Sequence, residues 1–141
     1  MEKHYSIGQM AKSGNCKVQT IRYYEQVGLL LTPQRNSGNQ RIYNVSQYKR
    51  LQFIRHSREL GFSLDQIRNI LTLSDNPSHS CKEVDQIARI HLKDIESKIK
   101  RLNGMKKELK RMINHCSGEQ IADCNIVEVL SNHQLCLTDH Q

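Results

Sequence analysis

The run TIRYYEQVGLL, residues 20–30, decides the fold. Within and just before it, Val18, Ile21, Tyr24 and Val27 recur at threes, the spacing of one buried helix face, and Gly28 supplies a C-terminal stop. Upstream, Ile7, Met10 and Ala11 mark the inner face of a shorter helix. Ser13, Gly14 and Asn15 separate the two, and Gly and Asn both tolerate the left-handed backbone of a tight turn. Two short helices joined by about three residues are a helix-turn-helix pattern. The outer side of the second helix offers Lys17, Gln19, Thr20, Arg22 and Tyr23, donor types that reach phosphates and base edges in a major groove.

Downstream, Pro33 ends the Leu29–Leu31 segment, and residues 34–43, QRNSGNQRIY, read as a hairpin. Asn36, Ser37, Gly38 and Asn39 are its turn, with Arg35 and Arg41 on either side. A basic hairpin beside a helix-turn-helix is a wing able to lie on the phosphate backbone. Val45, Tyr48, Leu51, Phe53 and Ile54 then trace a helix to about Leu60, stopped by Gly61. Ser63 is positioned to cap a further helix carrying Leu64, Ile67, Ile70 and Leu71.

Charge follows the same division. Of the 141 residues, the first 62 hold 10 basic and 3 acidic side chains, whereas residues 63–141 hold 11 of each. All seven aromatic residues also lie in the first 62. A basic, aromatic-bearing head followed by a neutral, aromatic-free remainder points to a polyanion-binding domain joined to an oligomerisation element. The N-terminal residues contain no apolar core segment of a secretory signal, and no apolar run approaches the roughly 20 residues of a membrane span. Five cysteines without a signal are expected to be reduced thiols in the cytoplasm, which favours metal or redox chemistry over a disulfide framework.

From Cys81 onward, apolar residues fall at 84, 88, 92, 95, 99, 102, 105, 109 and 113, predicting one long helix over about 81–114. So narrow a stripe needs a partner helix, and a symmetric homodimer provides one. Cys81 and Cys116 both lie on the stripe, separated by about 52 Å at helical rise. They cannot share a ligand within one chain. In an antiparallel pair, Cys81 of one subunit lies near Cys116 of the other. Cys116 and Cys124 bound a seven-residue loop in which Gly118 allows a turn, and Ile126, Val127 and Leu130 suggest a short helix beyond it. Three thiolates suit a soft or borderline ion, and His115 and Asp123 stand beside the loop as further candidate ligands. His133, Cys136 and His140 have ligand chemistry but lie in the terminal tail, and Cys16 reads as a core residue of the helix-turn-helix.

The run at 20–30, with Ala11, Val18–Arg22, RIY at 41–43 and ELGF at 59–62, resembles MerR-type transcription regulators along essentially the whole chain. Gln40 and Lys17 depart from it, standing where the family commonly has Tyr and a Ser/Thr-type cap. The resemblance implies a mainly α protein: a winged helix-turn-helix DNA-binding head (1–75), a long antiparallel coiled-coil dimerisation helix (76–115), and a metal-binding loop, short helix and tail (116–141). It implies that Gln19, Arg22, Tyr24, Arg35, Arg41, Tyr43 and Arg55 contact double-stranded promoter DNA, with RNA polymerase engaged indirectly. It also implies that Cys116 and Cys124 bind metal together with Cys81 of the partner subunit. Copper-type sensors of the family generally have Ser in place of that Cys, so Cys81 points to zinc, cadmium or lead, and also admits mercury.

Two alternatives belong beside that reading. One is a copper-type two-thiolate sensor of the same family; the other is a metal-buffering protein with a head that binds nucleic acid non-specifically. An enzyme is not expected, since there is no Gly-rich phosphate loop, nucleophile elbow or paired catalytic carboxylates.

Overall fold

The computed structural model describes residues 3–115, 120–132 and 134. The chain divides into two compact units, Met1–Val84 and Asp85–Gln141.

The first unit opens with α1 (Ile7–Ser13), started by a reciprocal pair in which the Ser6 hydroxyl accepts from Gln9 N and the Gln9 side chain accepts from Ser6 N. In the turn that follows, only Asn15 takes the left-handed conformation, at φ 48°. Gly14 has ordinary helical angles and is needed for a different reason: a Cβ there would lie 3.0 Å from Leu51 Cδ2 and 3.2 Å from the Met10 carbonyl. Helix α2 (Val18–Gln26) begins at Lys17 with no side-chain cap and ends before Gly28, whose φ of +82° turns the chain.

Strands β1 (Gln34–Arg35) and β2 (Arg41–Ile42) form an antiparallel hairpin, with Gln34 opposite Ile42 and Arg35 opposite Arg41. Asn36 builds its turn by accepting from Gly38 N and Gln40 N, both at 2.9 Å, while Asn39 takes φ 62°. A pair of 2.8 Å backbone bonds between Tyr5 and Tyr43 extends this ladder toward the N-terminus. Capping boxes at Asn44 and Ser63 start α3 (Val45–Glu59) and α4 (Leu64–Ser74), and Gly61 bends the chain between them at φ +87°.

One core joins these elements: Met10, Ile21, Tyr24, Leu29, Leu30, Tyr43, Leu51, Ile54, Ile67 and Leu71. The sequence reading of α3 needs correction. Gln47, Leu51 and Ile54 form its inner face, at i, i+4 and i+7, so Phe53 is rotated outward and Val45 lies in the exposed first turn.

Helix α5 (Lys82–Asn114), all but its first three residues in the second unit, is one continuous helix of 33 residues, about 50 Å long. A 3-10 turn at Ile121–Asp123 leads to α6 (Asn125–Ser131). This is the short helix expected from Ile126, Val127 and Leu130; Val129 is its buried residue, while Val127 and Leu130 are exposed. Asn125 Nδ2 donates to the Met112 carbonyl at 3.4 Å, so α6 rests against the end of α5 where Met112 is also buried.

Candidate nucleic-acid interface and metal centre

The seven residues singled out for DNA contact occupy three kinds of position. Gln19 and Arg22 are exposed on α2, and Arg35 is exposed on the wing, its Nη1 bracing the hairpin through the Asn39 carbonyl at 2.9 Å. Arg41 and Arg55 are half-buried and already engaged. Arg55 donates from Nε to the Gly14 carbonyl at 3.0 Å and from Nη2 to the Asn15 carbonyl at 3.1 Å, pinning the helix-turn-helix turn onto α3. Tyr24 and Tyr43 have their rings in the core.

The sequence reading passed over the residue that organises this face. Glu25, near the end of α2, accepts from Arg41 Nη1 with one carboxylate oxygen and from Tyr43 Oη with the other. Burial, reinforced by the Glu25 carboxylate and only partly opposed by Arg41, pushes the Tyr43 hydroxyl up to about 12, so it remains a donor. A sequence signal existed: Glu25 is the sole acidic residue of a helix within a strongly basic head. Two more arginines act structurally. Arg50 Nε and Arg68 Nη2 donate at 2.7 Å to the Leu29 and Val27 carbonyls, satisfying groups left open where α2 ends.

Cys16 packs against the core, and burial raises its thiol while Arg55 partly opposes the shift. A protonated, half-buried thiol fits its reading as a small apolar residue.

Cys81 is exposed immediately before α5, and Cys124 is half-buried as the N-cap residue of α6. Cys116 and Gly118 lie outside the described residues, as do His133, Cys136 and His140. His115 Nδ1 is 2.8 Å from the Arg111 carbonyl, and exposed Asp123 ends the 3-10 turn. Among the described residues of the chain, no three His, Cys, Asp or Glu side chains gather around one point. The donor chemistry, two described thiols together with a thiol next to His115 in sequence, fits a soft or borderline ion.

The outer surface of α5 is the other unusual feature. Leu92, Ile99, Leu102, Leu109 and Ile113 are 52–61% exposed, although all belong to one stripe. No helix among the described residues is long and apolar enough to cross a membrane.

Comparison with known proteins gives a consistent result. The profile described as MerR HTH family regulatory protein matches residues 5–73, and that described as MerR, DNA binding matches residues 48–112. The HTH-type transcriptional regulator ZntR of Escherichia coli K12 is 38% identical over 129 residues, covering 89% of this chain and 92% of its own. The crystal structure of the transcription regulator PbrR691 from Ralstonia metallidurans CH34 in complex with lead(II) is 36% identical, with a TM-score of 0.76. It covers 89% of this chain and 98% of that one. MerR from Bacillus megaterium MB1 in complex with mercury(II) is 29% identical, with a TM-score of 0.68, covering 90% and 99%.

Proposed function

Because the chain belongs to the MerR family of HTH regulatory proteins, we propose that it is a metal-responsive, non-enzymatic transcription regulator that binds promoter DNA as a homodimer. Residues 1–75 bind DNA, 76–115 dimerise, and 116–141 carry the metal loop. Binding of a divalent soft metal activates transcription of metal-resistance or efflux genes. Zinc, cadmium and lead are the candidate ions, with mercury also accommodated. The relatives' own names support a metal ligand, since PbrR691 is described with lead(II) and the Bacillus megaterium protein with mercury(II).

The observation that carries the shared site is the near-palindromic stripe of α5. Reversing the helix about the midpoint between Lys98 and Ile99 brings 84 to 113, 88 to 109, 92 to 105 and 95 to 102. The same operation brings Cys81 to Cys116. One antiparallel register therefore covers the exposed apolar stripe and juxtaposes thiols that no single chain can unite. Cys116 and Cys124 of one subunit, with Cys81 of the other, hold the ion as thiolates. Each must lose a proton to bind, so affinity falls as pH drops.

On the DNA, Gln19 and Arg22 read base edges and Arg35 and Arg41 contact phosphates, while Tyr24, Tyr43 and Arg55 hold these elements in place. The ion binds more tightly to the state in which the two heads bend and undertwist the promoter, which brings RNA polymerase elements into register. Deforming a bound promoter site costs on the order of a few kcal/mol, which differential metal affinity can supply.

Mixed dimers test the site. In reduced protein, Cys81→Ser and Cys116→Ser/Cys124→Ser homodimers should each fail to hold zinc or cadmium tightly. The heterodimer should regain one of two sites, measured as bound ion per dimer. A heterodimer no better than its parents removes the shared site. Full binding by the Cys81→Ser homodimer identifies a two-thiolate, copper-type loop instead.

A further inference from the structure

Glu25 has an 8% exposed side chain in a head otherwise dominated by cations, and burying a carboxylate is costly unless its charge is compensated. Both of its oxygens are used, and both donors come from the wing: Arg41 from β2 and Tyr43 just beyond it. The wing needs this anchor for two reasons. A hairpin of two residues per strand is marginal by itself. Its register also places Arg35 directly opposite Arg41, a like-charge pair that Glu25 partly neutralises. Arg22, the exposed arginine of α2, stands one turn before Glu25. The same helix therefore carries a base-reading candidate and the anchor of the wing.

A guanidinium has five N–H donors in a fixed fork. Glu25 engages Nη1 of Arg41, the Tyr43 hydroxyl also bonds this guanidinium, and the Arg41 side chain remains 26% exposed. We infer that Glu25 is a positioning residue for DNA binding: together with Tyr43 it holds Arg41, leaves the guanidinium's exposed N–H donors for a phosphate, and ties the wing to the recognition helix so that both engage as one rigid unit. This rests on the reading that α2 and the wing bind DNA.

The test uses the full-length dimer, a duplex selected by that dimer from a random pool, and a scrambled duplex of equal composition. Affinity is measured across a salt series, with thermal melting recorded for each variant. Arg41→Ala should weaken binding about tenfold and flatten the salt dependence by about one phosphate contact. Glu25→Gln should reproduce both effects at temperatures where the protein is folded, and the double variant should be within about twofold of Arg41→Ala. An unchanged salt slope in Glu25→Gln, or losses that multiply in the double variant, would overturn the inference. Should Glu25→Gln fail to fold, Arg41→Lys decides: a point charge cannot bridge a carboxylate and a phosphate as a planar fork does, so binding should drop about tenfold despite the retained charge. Wild-type affinity in Arg41→Lys refutes the bridge. Arg22→Ala separates this from the broader reading. If it too leaves discrimination between the duplexes intact, the recognition-helix assignment itself is wrong. If it abolishes discrimination while Glu25→Gln behaves as wild type, only the positioning role of Glu25 falls.

Discussion

The head and the long helix solve the same problem in opposite ways. Ten buried apolar residues of the first unit come from all four of its helices, from Leu29 and Leu30 after α2, and from Tyr43 beside β2, and they pack on one another. In the second unit, Met112 and Val129 are the fully buried apolar side chains among the described residues, while the stripe from Leu92 to Ile113 faces solvent. The head thus closes its own core within a single chain. The long helix exposes an ordered apolar row, the kind of feature that marks an interaction surface, whereas scattered apolar residues are ordinary. The first region carries its own core, whereas the second leaves its apolar row for the partner helix of the proposed dimer.

Substituting both regions should break this contrast cleanly. Leu102→Lys places a cation in the stripe of each subunit, on the order of 5 kcal/mol per dimer in lost association when two unpaired ammonium groups are buried. Sedimentation should show the mass shift to monomer while the head's unfolding transition persists. A wild type that is already monomeric would dismiss the dimer and the shared metal site with it. Leu51→Ala acts in the opposite region. Leu51 is fully buried beneath α1 and its turn, so the variant should lose about 3 kcal/mol in denaturant unfolding and keep its oligomeric mass at moderate concentrations.

A pH dependence sharpens the picture within the head. Ionising Tyr43 in the folded state would bury a phenolate beside the Glu25 carboxylate, which is why its value is raised from 10 to about 12. The unfolded chain gives up that proton more readily. The stabilisation is therefore complete below pH 10 and is lost as pH rises toward 12, at most about 3 kcal/mol. Comparing denaturation midpoints at pH 8 and 11 should show a smaller alkaline loss in Tyr43→Phe than in the wild type. The smallest effect belongs to a cap: Ser63→Ala removes an acceptor from Gln66 N at the start of α4 and should cost about 1 kcal/mol of head stability, with no change in dimer mass.

Much of this was legible because it is local. The recurrence of Val18, Ile21, Tyr24 and Val27, the turn residues at 36–39, the serine before α4 and the stripe beyond residue 84 all act within a few residues of themselves. What spacing leaves open is which face turns inward where one helix offers several candidates. On α3, spacing admitted both Phe53 and Ile54, and only packing into the shared core of the head selected Ile54. On α6, Val129 is buried in preference to Val127 and Leu130 because the helix lies against the end of α5 near Met112.

The sequence by itself determined the winged helix-turn-helix and the length of the long helix, since periodicity and turn propensity are properties of short segments. The tertiary structure decided what the basic residues do. Composition counts Arg22, Arg41, Arg50, Arg55 and Arg68 alike, yet four of them already bond carbonyls or Glu25 within the chain, and Arg22 stands exposed on α2. These partners lie 16 to 41 residues away in the chain. Such pairings arise only when helices and hairpin are assembled, because a buried carbonyl or carboxylate must find a donor wherever the fold brings one.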